Sequence, residues 1–427
     1  MRGAALALAA LLVAWVGWSS PWSAFAGDEA SRVESDFQIL HAAGCGLVEG
    51  QDIHDPLVLD EVGRRTGRSH TPFCAANPLV VRTYGVQAGS SFDQAYTAAL
   101  VANACLAILA VWLLASCLRA ASSESSRTAW TTAAAIGLVA LGAGEGLWMS
   151  LAMNSTNLLA LVAVLAALRS ALADQPLAEG AFLALAAVAK TSPALLLLVV
   201  LLSGRRLAFT AGCAVSVGLA AFSVWWSGWE IHASWLTRVL PVLGYAPDLD
   251  AGRFNNSLHA WNLSPNGVLS RTLLEADGPR MFALLGAWIV ALLVFGQLVV
   301  SVRSRGRGAD PRTIFRVYAL GLTATLLVSS VSWPHHLVFL CLPAAALLDD
   351  LRRGVDPPGL VGLACVALLA LPLGTLDPDP MLTLGIPLRS LAVVLLFFVL
   401  AARLSGDETD RGSEGGSASD PEVQGAA

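Results

Sequence analysis

The chain is dominated by apolar runs of about 20 residues, the length that a helix needs to cross roughly 30 Å of hydrocarbon. Of its 427 residues 56% are apolar and only 13% are charged, about half the charged share of a soluble domain. This balance excludes a disordered protein and argues strongly against a soluble globular one. The pattern predicts an all-α, polytopic membrane protein. The runs lie at residues 3–19, 94–118, 129–149, 153–172, 177–202, 207–226, 281–302, 317–333, 336–348, 359–374 and 387–403.

The run at 177–202 decides the predicted topology, because Lys190-Thr191-Ser192-Pro193 interrupts it. If its halves are two short helices, 15 arginines face the cytoplasm and 10 face outside. If it is one span, the counts become 9 and 16, and the cluster at 303–316 lies on the wrong face. Because cytoplasmic loops are enriched in Arg and Lys, the broken version is favoured. We expect about 12 membrane segments, with both termini in the cytoplasm.

This topology predicts one membrane domain over residues 1–403, with two extracytoplasmic loops at about 27–92 and 227–280. The tail at 404–427 is rich in Gly, Ser, Asp and Glu, and is predicted to be a disordered cytoplasmic segment. The first run is either a retained helix or a signal peptide cleaved after Ala24-Phe25-Ala26. No basic stripe with interleaved aromatic residues indicates nucleic-acid binding.

Two of the seven cysteines, Cys45 and Cys74, share the first outer loop. An oxidising compartment permits a disulfide between them, and the alternative is two free thiols too far apart to bond. No Cys and His spacing indicates a zinc site. The other five cysteines fall in apolar runs, where they are expected to be small buried hydrophobic residues.

Asp36 is a candidate general base, because it lies about 17 residues after the first run, where the chain leaves the membrane. A carboxylate there could deprotonate an acceptor hydroxyl. Alternatively, Asp36 is the N-cap of a helix that begins at Phe37. Glu34, Asp52 and Asp55 compete for the role of base.

Lys190 is the single lysine among 26 basic residues, and it lies inside an apolar run. A charge within the membrane is costly and indicates a functional site. Close to the start of a helix near Pro193, Lys190 could bind phosphate together with free backbone N–H groups. The alternative is a lysine whose head reaches the membrane interface.

Further polar candidates lie in the predicted outer regions. His335 and His336 could donate to phosphate or carry a proton, or form a polar turn anchored by Trp333. Asn256 could bind sugar hydroxyls or belong to an ordinary turn. Arg82 could face an anionic group or lipid headgroups. Glu145, near the end of its run, is unusual, and the sequence alone assigns it no role.

Four stretches of this chain occur together and in order in one known family. They are Asp36-Phe37 with His41-Ala42-Ala43 and Glu49-Gly50-Gln51-Asp52, then Asn157, then Gly180 to Ala189-Lys190-Thr191-Ser192-Pro193 with Gly204-Arg205-Arg206, and finally Asn256-Ser257-Leu258 with Ser332-Trp333-Pro334-His335-His336. In these residues the chain resembles glycosyltransferase family 87, polyprenyl-phosphate-sugar-dependent enzymes of the C superfamily that include mycobacterial mannosyltransferases.

The resemblance implies a cell-membrane hexosyltransferase with an active site facing outside the cytoplasm, and mannose is the best guess for the sugar. The donor would be a sugar on polyprenyl phosphate, the acceptor a lipid or glycan hydroxyl, and the displacement inverting. Asp36 would be the base, with His335 and His336 also catalytic. Lys190 and Arg82 would bind the donor phosphate or lipid. No cofactor or metal is implied.

Asn157 and Asn256, which belong to the matching stretches, are expected to bind sugar or acceptor.

Two other classes of protein fit the same topology. One is a polytopic transporter or lipid flippase, since broken helices also build transport sites. The other is a different lipid-linked transferase, such as a polymer ligase with an oligosaccharide donor. Neutralising Asp36 separates a transporter from a transferase.

Overall fold

The computed structural model describes residues 35–66, 74–122, 127–243, 262–275, 280–305, 310–354, 357–370 and 385–406. Helices account for the secondary structure of these residues, and no strand occurs among them. The all-α prediction is therefore confirmed for the described part of the chain. The run at 3–19 and the predicted tail beyond Gly406 lie outside the described residues.

Three short helices form the described part of the first predicted loop: α1 Asp36–Val48, α2 Pro56–Arg65 and α3 Pro78–Gly85. Each begins at a polar cap, where Ser35, Asp55 or Asn77 accepts a backbone N–H of the first turn. These caps satisfy donors that the start of a helix leaves unpaired. The loop is consequently a small helical layer.

Helices α1 and α3 pack through glycines at the point where they cross. A Cβ atom at Gly44 would lie 2.6 Å from the backbone nitrogen of Gly85, and one at Gly85 would lie 2.9 Å from the Gly44 carbonyl. Only the absence of a side chain at both positions permits this approach. The crossing fixes α1, and with it Asp36, relative to α3.

The remaining helices are more numerous than the apolar runs from which they come. They are α4 Phe92–Ala121, α5 Arg127–Gly142, α6 Glu145–Ala152, α7 Asn157–Leu172, α8 Pro176–Ala189, α9 Leu195–Leu202, α10 Arg206–Ser227, α11 Trp229–Ser234, α12 Leu240–Leu243, α13 Pro265–Glu275, α14 Arg280–Arg305, α15 Pro311–Val328, α16 Cys341–Arg353, α17 Pro357–Ala370 and α18 Ile386–Gly406.

Four described helices are long and apolar enough to cross a membrane, namely Phe92–Ala121, Arg206–Ser227, Phe282–Ser304 and Ile386–Ser405. A fifth span results if α5 and α6, which meet at a bend of 62°, count as one. The predicted number of about 12 segments is not confirmed. The reason is that several apolar runs fold as helices of 8 to 16 residues, and so short a helix does not span a bilayer by itself.

The predicted interruption at Lys190 is confirmed. Helix α8 ends at Ala189, Lys190 has an extended backbone, and a 3₁₀ turn at Ser192–Ala194 leads into α9. Pro193 lacks a backbone N–H and clashes with a preceding helical turn, so it separates the two helices. Lys190 therefore lies on a short non-helical link.

The core is centred on α7, where Leu158, Leu161, Val164, Leu165 and Leu168 are completely buried. Helix α7 packs against α4, α8 and α15. On its other side α8 meets α10. This arrangement holds the two ends of the site, the start of α7 and the end of α8, in one rigid unit.

Candidate active site

Four polar residues from four separate segments form one connected cluster. Lys190 Nζ donates to Asn157 Oδ1 over 2.5 Å, and Asn157 Nδ2 donates to the carbonyl oxygen of His335 over 3.2 Å. His335 Nε2 in turn lies 3.5 Å from Asp36 Oδ2. The structure thus brings Asp36, Lys190 and His335 together, although 299 residues separate the first from the last.

Asp36 is the first residue of α1, and the helix N-cap is its neighbour Ser35. The N-cap role considered for Asp36 is therefore wrong, because the Ser35 side chain accepts the backbone N–H of Gln38. The Asp36 side chain is 37% exposed, whereas the His335 side chain is only 7% exposed. The positive end of the α1 dipole favours negative charge at this position. Asp36 is the member of the cluster that an incoming hydroxyl could reach.

The two histidines lie on a 3₁₀ turn at Pro334–Leu340, here called the histidine turn. Their rings stand edge to face with centroids 4.6 Å apart, and both side chains are buried. The backbone N–H of Trp333 donates to His336 Nδ1 over 3.3 Å. His336 thereby fixes the start of the turn, while His335 faces Asp36.

Asn157 begins α7 and is completely buried. Besides its contacts with Lys190 and His335, its Nδ2 lies 3.4 Å from Ser150 Oγ, and Ser150 Oγ donates to the His335 carbonyl over 3.0 Å. Its amide is engaged on both sides by protein groups. Asn157 thus links Lys190 to the histidine turn, and its predicted role in binding sugar or acceptor stays a prediction.

Arg82, another predicted binding residue, has different contacts. Arg82 donates to the Leu47 carbonyl over 3.4 Å, and its guanidinium lies 5.7 Å from the centre of the Trp226 ring. It thus connects α3, α1 and α10. Asn256 lies outside the described residues, as does Glu34.

The competing acids of the first loop have other partners. Asp52 accepts hydrogen bonds from Ser234 Oγ at 2.9 Å and from Arg238 at 3.0 Å. Asp55 caps α2 by accepting from the backbone N–H of Leu57. These contacts tie the loop to α11 and the turn after it, so neither acid matches the position of Asp36.

The disulfide considered between Cys45 and Cys74 is not present, because both cysteines are free. The physical reason is that Cys45 lies on one face of α1, whereas Cys74 packs against the other face. Cys45 lies in a cluster with Ala42 and Val62, while Cys74 packs with residues such as Ala43 on the other face. Burial raises the pKa of the Cys74 thiol to about 12.

Sequence reasoning missed two residues that support the cluster. Ser150 carried no sequence signal, since a serine within an apolar run is common. Arg389 is a charged residue inside the last apolar run, and this was a usable signal. Its guanidinium pairs with Glu145 at 2.6 Å, and both side chains are completely buried. Glu145, which the sequence left without a role, thereby acquires a partner.

The cluster combines an exposed carboxylate, buried histidines and an ammonium group in one place. Such a set can accept a proton at one end and stabilise a leaving anion at the other. Within the described ranges no three His, Cys, Asp or Glu side chains are grouped as a metal site requires. The chemistry on offer is acid–base and electrostatic.

Comparison with known families matches residues 87–330 to "Glycosyltransferase family 87", which is more than half of the chain. A search of curated proteins found no match. The matched region contains Asn157 and Lys190, while Asp36 and His335 lie on either side of it. With its apolar helices, the chain therefore belongs to glycosyltransferase family 87 and is a membrane glycosyltransferase.

Proposed function

We propose that the protein transfers a hexose, with mannose as the first candidate, from a polyprenyl-phosphate-sugar to a hydroxyl of a lipid or glycan acceptor. The reaction takes place at the extracytoplasmic face of the cell membrane. The observation that carries the proposal is the continuous contact from Asp36 through His335 and Asn157 to Lys190. It supplies a base and a cation at one site, as a transfer with an anionic leaving group requires.

Asp36 is the proposed base. Its partly exposed carboxylate takes the proton of the acceptor hydroxyl as the hydroxyl oxygen bonds to the anomeric carbon of the sugar. The bond from that carbon to the phosphate oxygen breaks in the same step, with inversion. The leaving lipid phosphate carries the electron pair, so the proton and charge balance without a cofactor.

Lys190 and the histidines are proposed to receive the donor phosphate. A phosphate is a good leaving group that needs charge stabilisation more than protonation, and an ammonium group near a non-helical link provides it. Lys190 is partly exposed, so its ammonium group can face a ligand while one proton is donated to Asn157. Arg82 and Asn256 remain proposed contacts of the donor lipid and of the sugar or acceptor.

The deciding experiment measures sugar transfer by the purified protein in detergent. Radiolabelled polyprenyl-phospho-hexoses, mannose first, serve as donors, and total membrane lipid supplies acceptors. Asp36→Asn should reduce kcat by roughly 10²–10⁴-fold, the usual contribution of a general base, with donor binding retained. Asp93→Asn, an exposed carboxylate in the first turn of α4, is the matched control and should keep full activity.

Equal loss in Asp36→Asn and Asp93→Asn would contradict the assignment of the base. Activity retained in Asp36→Asn but lost in Asp52→Asn would move the role to Asp52. Transport of a lipid-linked sugar across a vesicle membrane that is unaffected by Asp36→Asn, together with no transfer from any donor, would favour a transporter and overturn the proposal.

A further inference from the structure

Helix α6 contacts both segments that carry the proposed base and the histidines. Ser150, within α6, donates to the His335 carbonyl over 3.0 Å. Met153, directly after α6, accepts the backbone N–H of Phe37, next to Asp36, over 3.2 Å. Gly146, in the first turn, is so close to the histidine turn that a Cβ atom there would lie 2.2 Å from the backbone nitrogen of Val338. The position of α6 therefore sets the distance from Asp36 to His335.

Helix α6 is not stable enough by itself to keep that position. It contains eight residues, and no side chain caps its N-terminus at Gly144. It follows α5 at a bend of 62°, so α5 does not extend it as one straight rod. A helix of two turns is unstable by itself and depends on tertiary contacts.

The ion pair of Glu145 with Arg389 is placed to supply the missing anchor. Glu145 is the first residue of α6, and its Oε2 lies 2.6 Å from Nη2 of Arg389, which belongs to α18. Neither side chain is exposed. A buried ion pair is weak evidence of net stability, since desolvation offsets the attraction, but separating its two members is costly. The pair joins the start of α6 to a membrane-spanning helix near the C-terminus.

We propose that the Glu145–Arg389 pair positions the active site: it fixes α6, and through α6 the histidine turn and the start of α1. Neither residue touches the reacting atoms, so both are positioning residues rather than catalytic ones. The proposal rests on the proposed function for its kinetic consequence. Its structural consequence, a fixed histidine turn, does not depend on any activity.

The test replaces both charges together, because removing one alone deprives a buried charge of its partner at 2.6 Å. The double variant Glu145→Gln/Arg389→Gln should lower kcat for sugar transfer roughly 10–100-fold, since a displacement of about 1 Å costs this much. The donor KM should change less than about threefold. Amide hydrogen exchange in the peptide that covers residues 334–340 should accelerate at least about tenfold, because the turn loses its support.

The matched control is a second buried pair, Glu179 with Arg205, at 2.8 Å. Glu179 lies eleven residues before Lys190 on α8, so roughly 16 Å separate it from the site. Glu179→Gln/Arg205→Gln should lower the thermal midpoint while leaving kcat and exchange at 334–340 unchanged. A merely structural role of Glu145 and Arg389 predicts the same result for both double variants.

A coupling measurement sharpens the distinction. Ser150→Ala removes another contact between α6 and the histidine turn. If the pair acts through α6, the losses of kcat in Ser150→Ala and in the double variant should not multiply when combined. Independent, fully multiplicative losses would overturn the proposal, as would unchanged kcat and exchange in the double variant.

If the double variant does not fold, Gly146→Ala carries the test. The added methyl group forces α6 away from Val338, whereas Gly144→Ala meets no atom closer than 4.0 Å. Loss of kcat and faster exchange at 334–340 in Gly146→Ala alone support the proposal, and equal behaviour of the two variants overturns it. If the wild type transfers no sugar, the proposed function fails, and the exchange measurement alone decides the positioning role.

Discussion

At the scale of single residues, Asn157 has the most constrained place in the site. Its one amide accepts from Lys190 and donates to the His335 carbonyl, and it is completely buried. The amide of asparagine offers a donor and an acceptor on two separate atoms without a charge. Its replacement should therefore affect both neighbours at once.

Asn157→Ala is expected to reduce kcat/KM by about 10–100-fold, because Lys190 and the histidine turn lose their common partner and shift relative to the donor. Steady-state transfer kinetics check this. Asn103→Ala is the control, since Asn103 is also a buried amide but donates to Asn154 instead. Similar losses of activity in both variants would show that any buried amide has this effect.

His54 predicts a pH dependence of stability. It is 2% exposed, neither ring nitrogen has a hydrogen-bond partner, and burial lowers its pKa to about 4. The unfolded chain binds a proton at His54 near pH 6.5, whereas the folded chain binds it only near pH 4. The contribution of neutral His54 to the free energy of unfolding is therefore complete above pH 6.5 and is lost as the pH falls towards 4. By pH 5 the loss should be about 2 kcal/mol.

The measurement is the free energy of unfolding in detergent at pH 7 and pH 5. His54→Leu should flatten the fall that the wild type shows. His232→Gln should leave this fall unchanged, because the His232 ring already has hydrogen-bond partners in Ser223 and the Gly228 carbonyl. An equal fall in wild type and His54→Leu would contradict the prediction.

At the scale of elements, the approach of α8 to α10 supports the position of Lys190. A Cβ atom at Gly180 would lie 2.1 Å from the carbonyl oxygen of Ala208 and 2.6 Å from the backbone nitrogen of Gly212. Small residues let membrane helices come this close. Gly180 lies near the start of α8, and the link with Lys190 follows the other end of this helix.

Gly180→Ala should destabilise the protein by at least about 1–3 kcal/mol, the usual cost of overpacking, because backbone atoms must separate. Gly218→Ala on α10 meets no atom within 4 Å and should be neutral or slightly stabilising. Thermal midpoints of the two variants in detergent provide the comparison. A midpoint of Gly180→Ala at or above that of the wild type would refute the close contact.

Helix ends were the most predictable feature at this scale. Pro193 ends α8 through its own chemistry, and proline needs no tertiary information to do so. The number of spans was not predictable in this way. The break between α5 and α6 falls at Gly142–Gly144, and glycine only permits a bend. Apolar length alone therefore does not establish the number of spans, and 4 to 5 are found among the described helices.

At the scale of the whole molecule, the sequence predicted those members of the cluster whose residue type or position is unusual. Lys190 is the only lysine and Asp36 follows the first run, so both were found from sequence. The pairing of Glu145 with Arg389 was not, because 244 residues separate them and no local pattern records a contact across that distance. Ser150 was missed because it resembles any serine of an apolar run.

The arginine distribution predicts the orientation of the chain, and a fusion experiment tests it. Green fluorescent protein placed after residue 406 should fluoresce, and alkaline phosphatase there should be inactive, since the C-terminus is expected in the cytoplasm. In the first loop, after residue 66, green fluorescent protein should not fluoresce and alkaline phosphatase should be active. Fluorescence at both positions would contradict the predicted topology and the extracytoplasmic site.

The long separation of Asp36 from His335 also has a consequence for biosynthesis. During synthesis the acid leaves the ribosome almost 300 residues before the histidine turn. A nascent chain that has inserted only its first helices already carries Asp36 and Lys190 but lacks the residue that stands between them in the cluster. On the proposed assignment of the site, transfer activity requires synthesis beyond residue 335 of 427, and a product that is terminated before this residue but remains in the membrane would be catalytically incomplete.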